Sequence, residues 1–297
     1  MPDGFHCGFV ALVGRPNVGK STLLNAILGQ KVSITSRKPQ TTRHRILGIK
    51  TLPQLQAIYV DTPGLHRKAK RAINRVLNRT ATEALHDVDL VVMLVEAGKW
   101  TDEDDLVLDR LRGVKVPVIL AANKVDRIKD KKQLLPWLKE VADRFAFREV
   151  IPVSATRGVN VDRLERLVAD LLPPGPPLFP EDQITDRSLR FLVAEQVREK
   201  LFRKLGRELP YGISVEIESF EEGPRLVRIS ALIWVEKASH KAIVIGHKGA
   251  LLKEVGEQAR KDMEQLLGKK VFLQLWVKVK EGWADSERAL RGLGFDL

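Results

Sequence analysis

Apolar residues in the first half of the chain come in short, nearly unbroken runs. Residues 9–13, 57–60, 90–95, 118–122 and 150–153 read as strands covered on both faces. Between them the spacing turns helical, at about 20–28, 68–86, 102–111, 132–145 and 161–171. Strands alternating with helices predict a mostly parallel sheet with helices on both sides. The stretch 35–53 fits neither pattern and reads as a loop leading into an extra edge strand around 45–52.

The pattern breaks at "PPGPPLFP", residues 173–180, where the prolines can neither continue a helix nor enter a central strand. This reads as a stiff interdomain linker. Beyond it the chain predicts a long amphipathic helix at about 186–205 and two alternating strands, 213–219 and 225–235. A helix, a G-x-x-G turn and a second helix follow, then a last strand at 271–280. The domains expected are therefore 1–172, a linker at 173–184, and 185–297.

Residues Gly14, Arg15, Pro16, Asn17, Val18, Gly19, Lys20 and Ser21 spell GRPNVGKS, with Thr22 next, between the first strand and the first helix. This is a phosphate loop. Glycines let several N–H groups face one anion, the helix N-terminus adds positive potential, Lys20 adds a fixed charge, and Ser21 offers a hydroxyl to Mg²⁺. Asn123, Lys124 and Asp126 form NKVD at the carboxyl end of a strand, where open α/β sheets bind ligands. A carboxylate there accepts both guanine N1–H and N2–H₂, a donor pair that adenine lacks. Ser154, Ala155 and Thr156 follow the next strand and are the matching backbone clamp for the guanine oxygen.

Asp61, Thr62, Pro63 and Gly64 follow the strand at 57–60. The acid can reach Mg²⁺ through water and the Gly64 N–H can meet the γ-phosphate. A further hydroxyl for Mg²⁺ would come from Thr41 or Thr42 in PQTTRHR, with Thr42 preferred on family pattern because spacing cannot separate neighbours.

Charge adds a second theme. Of the formal +12, +10 lies in residues 1–180, and between Arg37 and Arg79 the sole acid is Asp61. This favours an anionic partner, either through a solvated basic surface or through contact with an RNA backbone. No apolar run is long enough to span a membrane, and the first residues lack the pattern of a secretory signal. Cys7 is alone, which fits a reducing compartment. His6, His44, His66, His86 and His240 show no ligand spacing. Trp234 and Trp276 alternate with apolar neighbours and are expected in the core.

The order of these elements, and the wording GRPNVGKST, QTTRHR and DTPGL, resemble the translation-factor-related GTPases, in the branch that holds Era, TrmE and EngA. The C-terminal order α-β-β-α-α-β with GHKG, Gly246 to Gly249, resembles a type II KH domain. In such a domain Gly246, His247, Lys248 and Gly249 meet the nucleic-acid backbone. Ile243, Val244 and Ile245, together with inward-facing strand residues, would floor an apolar groove, with Lys269 and Lys270 among the cations nearby. The fold class expected is an α/β P-loop GTPase domain followed by an α+β type II KH domain. That combination, over essentially the whole chain, is similar to the Era family.

The resemblance implies GTP hydrolysis to GDP with Mg²⁺ as cofactor, and two switch loops, here about 33–45 and 62–75. It implies binding near the 3′ end of 16S ribosomal RNA and a role in maturation of the 30S subunit. It also implies a cytoplasmic protein that associates peripherally with the inner face of the membrane; a monomer is expected. Leu65 departs from the Ras-like pattern, which places a water-orienting glutamine after DTPG, so slow intrinsic hydrolysis is expected. Asn17 matches an asparagine that ligates K⁺ in some relatives, making K⁺ a candidate activator.

Overall fold

The structure is a computed structural model that describes residues 4–36, 38, 40–64, 72–85, 87–206 and 209–292. Two compact units are present. The first comprises Met1–Ser33, Thr42–Ala69 and Leu77–Asp186; the second comprises Ile34–Thr41, Lys70–Val76 and Arg187–Leu297.

The first unit is built on a six-stranded sheet. Its strands are β1 (His6–Val13), β2 (Ile46–Leu52), β3 (Leu55–Asp61), β4 (Leu90–Glu96), β5 (Val118–Asn123) and β6 (Glu149–Pro152), in the order β2-β3-β1-β4-β5-β6. All neighbours are parallel except β2 and β3, which pair antiparallel. The extra edge strand expected around 45–52 is β2.

The helices are α1 (Lys20–Leu28), α2 (Ala72–Glu83), α3 (Asp102–Leu111), α4 (Leu134–Ala142) and α5 (Val161–Leu171). The first part of the helix expected at 68–86 lies outside the described residues. Continuous apolar strands bury both faces: Val10, Leu12, Val92 and Leu94 belong to one core cluster, and Ala11, Val13, Val91 and Met93 to the other.

The proline-rich segment is no free tether. Pro173 O accepts from Cys7 N, Phe179 O accepts from Gln56 Nε2, and Ile184 O accepts from Ile49 N. Gln56, fully buried in β3, also accepts from Leu178 N and Phe179 N. Proline forbids regular structure here without preventing its carbonyls and neighbouring amides from pairing with β1, β3 and the edge strand β2.

The second unit carries α6 (Leu189–Lys204), β7 (Ile213–Glu222), β8 (Leu226–Val235), α7 (Ala238–Ile245), α8 (Ala250–Leu267), β9 (Lys270–Val279) and α9 (Glu287–Gly292). Its sheet runs β7-β8-β9, the first pair antiparallel and the second parallel. One face packs on the helices through Val197, Leu201, Ile229, Val255, Ala259 and Val271.

Two expectations fail in this unit. The long helix does not keep a wet face: Leu192 through Phe202 are all buried, charged residues included. Pairing makes that tolerable, because Arg198 meets Glu195 at 2.6 Å and Lys200 meets Asp262 at 2.5 Å. Trp276 is not core; it is 56% exposed, on a face of the sheet where no helix packs among the described residues. The closing helix α9 has no counterpart among the expected elements.

Candidate nucleotide site and RNA groove

The phosphate loop is shaped by two left-handed glycines. Gly14 and Gly19 have φ of 152° and 108°, and a Cβ on Gly19 would lie 2.3 Å from Asn123 Nδ2. That approach lets Asn123 act as a brace. Its Nδ2 donates to Val18 O at 2.8 Å and its Oδ1 accepts from Ala155 N at 3.0 Å. One buried amide therefore joins the phosphate loop, the NKVD segment and the SAT segment.

The rest of NKVD is held with equal economy. Lys124 Nζ donates to Glu96 Oε2 at 2.7 Å, and Ser154 Oγ donates to Asp126 Oδ1 at 2.5 Å. Asp126 remains partly exposed at the strand end, where a base edge can reach its carboxylate.

The Mg²⁺ candidates converge. Ser21 Oγ lies 2.8 Å from Thr42 Oγ1 and donates to Asp61 Oδ2 at 2.7 Å. Thr41 is separated from its neighbour by geometry, since its hydroxyl pairs with Ser36 Oγ and Lys38 O instead. Asp61 is fully buried, and its Oδ1 has no hydrogen-bond partner. Burial pushes its carboxyl above the usual range, opposed by Ser21, Lys20 and Ser33. A buried carboxylate with an orphaned oxygen, flanked by two hydroxyls, is a donor set that suits a hard divalent cation.

Lys20 Nζ donates to Gly14 O and Arg15 O, and burial lowers its pKa to about 8. Gly64 lies hard against the loop: a Cβ there would stand 2.9 Å from Pro16 Cα. Thr62 Oγ1 donates to Leu12 O, fixing the start of the DTPG turn on β1. Asn17 has φ of 64°, a conformation asparagine tolerates. Leu65 lies outside the described residues.

Three contributors escaped the sequence reading. Ser33 Oγ donates to Asp61 Oδ2 at 2.8 Å, and Asn25 Oδ1 holds Ser33 N. Asp104, fully buried, accepts from Arg15 Nε at 3.0 Å and from Thr101 N at 3.0 Å. A threonine three residues before an acid signals a capping box, and α3 starts on one. The pairing of its acid with a loop 89 residues away leaves no local trace.

In the second unit Gly246 and Gly249 have φ of 75° and 80°. Nothing lies within 4 Å of a Cβ on Gly249, while one on Gly246 would meet Leu251 at 2.8 Å. His247 and Lys248 are exposed between them. Beside α8 runs a groove of about 390 Å³, lined by Gly249, Leu252, Lys253, Gly256, Leu273 and Leu275 among others.

Its lining keeps the strand part of the expected floor, through Leu273 and Leu275, and corrects the helix part. Val244 is buried in the core and Ile243 is 48% exposed, so the wall comes from α8 and β9. The short α7 spends its apolar residues on both sides. Lys269 is engaged by Glu222 at 2.6 Å. Lys269 and Lys270 follow α8, whose 18 residues put them about 27 Å along its axis from GHKG.

The basic run is not a uniform wet face either. Arg43 is 2% exposed, Lys38 Nζ donates to the carbonyls of Phe202 and Leu205, and Lys50 donates to Ile27 O.

A phosphate loop braced to a guanine-type base site, in a chain that also carries a G-x-x-G groove, defines a GTPase with an RNA-binding domain. Comparison with known proteins agrees. The family model described as 50S ribosome-binding GTPase matches residues 9–124, and the KH domain model matches residues 208–284. GTPase Era of Pseudomonas aeruginosa (strain LESB58) is 59% identical, with 99% of this chain and 97% of that protein covered. GTPase Era of Azotobacter vinelandii is 58% identical, covering 99% and 98%.

Among solved structures, Era in complex with MgGDPNP and nucleotides 1506–1542 of 16S ribosomal RNA matches with a TM-score of 0.94 at 40% identity. That match covers 99% of this chain and 100% of the other. An Aquifex aeolicus Era variant bound to GDP·AlF4⁻ matches at 0.95 and 40%, with the same coverage. The chain belongs to the Era family of GTPases.

Proposed function

We propose that this chain is a GTP-operated clamp for the 3′ end of 16S ribosomal RNA, acting in maturation of the 30S subunit. The observation that carries the nucleotide half is the Asn123 brace, which makes phosphate recognition and guanine recognition one rigid site. The RNA half rests on GHKG beside the groove, and on the relative whose solved complex holds 16S nucleotides 1506–1542.

Gly14 to Thr22 cradle the phosphates, with Lys20 charging the outer ones. Asp126 reads guanine N1–H and N2–H₂, and the Ser154–Thr156 backbone would clamp the guanine oxygen. Ser21, Thr42 and Asp61 would hold Mg²⁺, which when bound offsets charge on the β- and γ-phosphates. Gly64 packs on Pro16, and its N–H would meet the terminal phosphate.

The switch reading draws on the segment Ile34–Thr41, which belongs to the second unit. Thr35 N donates to Glu199, Arg198 donates to Thr41 O, and Lys38 caps the carbonyl end of α6. Thr42, the next residue, turns its hydroxyl to Ser21. Order imposed on Thr42 by GTP is thus passed along one peptide bond to a segment tied to the first helix of the RNA-binding unit. Hydrolysis releases both.

Leu65, directly after DTPG in the sequence, cannot orient water as a glutamine would, so the intrinsic rate is slow. Water is positioned by backbone, by a polar switch residue or by a partner, and Asn17 is the candidate ligand for an activating K⁺. Hydrolysis measured in K⁺ and in Na⁺ buffers decides this: faster turnover in K⁺ is expected, and equal rates remove that role for Asn17. The protein works in the cytoplasm as a monomer with peripheral membrane association. Crosslinking to total cellular RNA in the GTP form tests the target. Adducts concentrated at the 16S 3′ end are expected, and adducts spread elsewhere would contradict it.

A further inference from the structure

The edge strand β9 alternates between two faces. Leu273 and Leu275 line the groove beside α8, whereas Phe272, Gln274 and Trp276 stand on the sheet's uncovered face. Phe272 and Trp276 are 46% and 56% exposed. The Arg228 guanidinium sits 5.8 Å from the Phe272 ring centroid, and Lys270 and Lys278 flank the two aromatics along the strand. Trp234, by contrast, is committed: its Nε1 donates to Glu216 at 3.0 Å, and Lys280 lies over its ring at 5.3 Å.

We propose that Phe272 and Trp276 form a second RNA surface, a stacking platform for single-stranded nucleotides that leave the groove around the edge of β9. The inference rests on the groove reading above and extends it. Two exposed ring planes four residues apart on a strand lie about 13 Å apart. Every base has a π-face, so such planes hold single strands with little regard to sequence, and flanking cations serve the phosphates.

The platform and the groove share one strand, which is the last of its sheet among the described residues, so a chain filling the groove needs only to round that edge to reach it. Charge decides against a lipid surface. A flat anionic membrane would meet Glu216, Glu218 and Glu221 of β7 together with β9. A single strand needs only β9 and the neighbouring edge of β8, where Lys270, Arg228 and Lys278 stand, the last shared with Glu218 at 3.5 Å.

The test uses the full chain loaded with a nonhydrolysable GTP analogue and two single-stranded RNAs. One, of about six nucleotides, fills the groove alone; the other, of about twenty, extends past it. Phe272→Ala/Trp276→Ala is expected to weaken the longer RNA about tenfold or more and to leave the shorter one unchanged. Trp276→Phe, which keeps a ring plane, is expected to retain affinity for the longer RNA.

An unchanged longer-RNA affinity in the double variant overturns the proposal, and so does an equal loss on both RNAs. The groove reading is scored separately by His247→Glu/Lys248→Glu, which should weaken both RNAs. If that variant weakens neither while the aromatic variant still weakens the longer RNA, the groove reading fails and the platform stands. Loss of flotation on phosphatidylglycerol vesicles by the aromatic variant, with RNA affinity intact, would assign the face to lipid and overturn the proposal.

Discussion

Asn123 and Asp126 sit three residues apart and divide the labour of one site. Asn123 is 2% exposed and holds protein to protein, so its loss would loosen the phosphate loop and base site together. Asp126 is open on one side and braced from the other by Ser154. Asp126→Asn keeps an oxygen to accept from Ser154, so the fold should survive with an unchanged melting temperature. It loses one acceptor for guanine, and affinity for GTP should fall at least about a hundredfold. Xanthosine triphosphate carries an oxygen where guanine has its amino group, and should recover much of the loss. Nucleotide affinity by fluorescence competition checks both results. The residue types of this site were legible because each motif follows a strand end. The Asp104–Arg15 and Ser33–Asp61 bonds were not, since a hydrogen bond across 89 or 28 positions leaves no period in a sequence.

Elements were legible where burial is two-sided. Continuous apolar runs named all five parallel strands, and the edge strand was legible only as the end of a stretch, 35–53, that fits neither pattern. Where pairing replaces periodicity, the reading slipped. The α6 pattern looked amphipathic because Glu195, Arg198, Glu199 and Lys200 are charged, yet ion pairs and the 34–41 segment bury them. The β9 pattern looked like core because Trp276 alternates with apolar residues, yet no helix packs on that face of the sheet among the described residues. The same α6 supplies a prediction. Lys38→Met keeps the aliphatic stem and removes the charge that caps the Phe202 and Leu205 carbonyls. GTP affinity should hold, while the ratio of RNA affinities between the GTP and GDP forms should shrink about threefold or more. A ratio equal to the parent's would show that Lys38 carries none of the coupling.

At the scale of the whole molecule, two anion sites are built on one principle, backbone freed by glycine. Gly14 and Gly19 shape one; Gly246 and Gly249 shape the other. The coupling proposed between them runs from Thr42 at the nucleotide cluster to the segment held by α6. Linkage makes that path reciprocal: if GTP favours RNA binding, RNA favours the GTP form by the same factor. The direct measurement is a titration of single-stranded RNA from the 16S 3′ end against the full chain, once with a nonhydrolysable GTP analogue and once with GDP. The account predicts binding at least about fivefold tighter in the GTP form. Equal affinities in the two forms would contradict it.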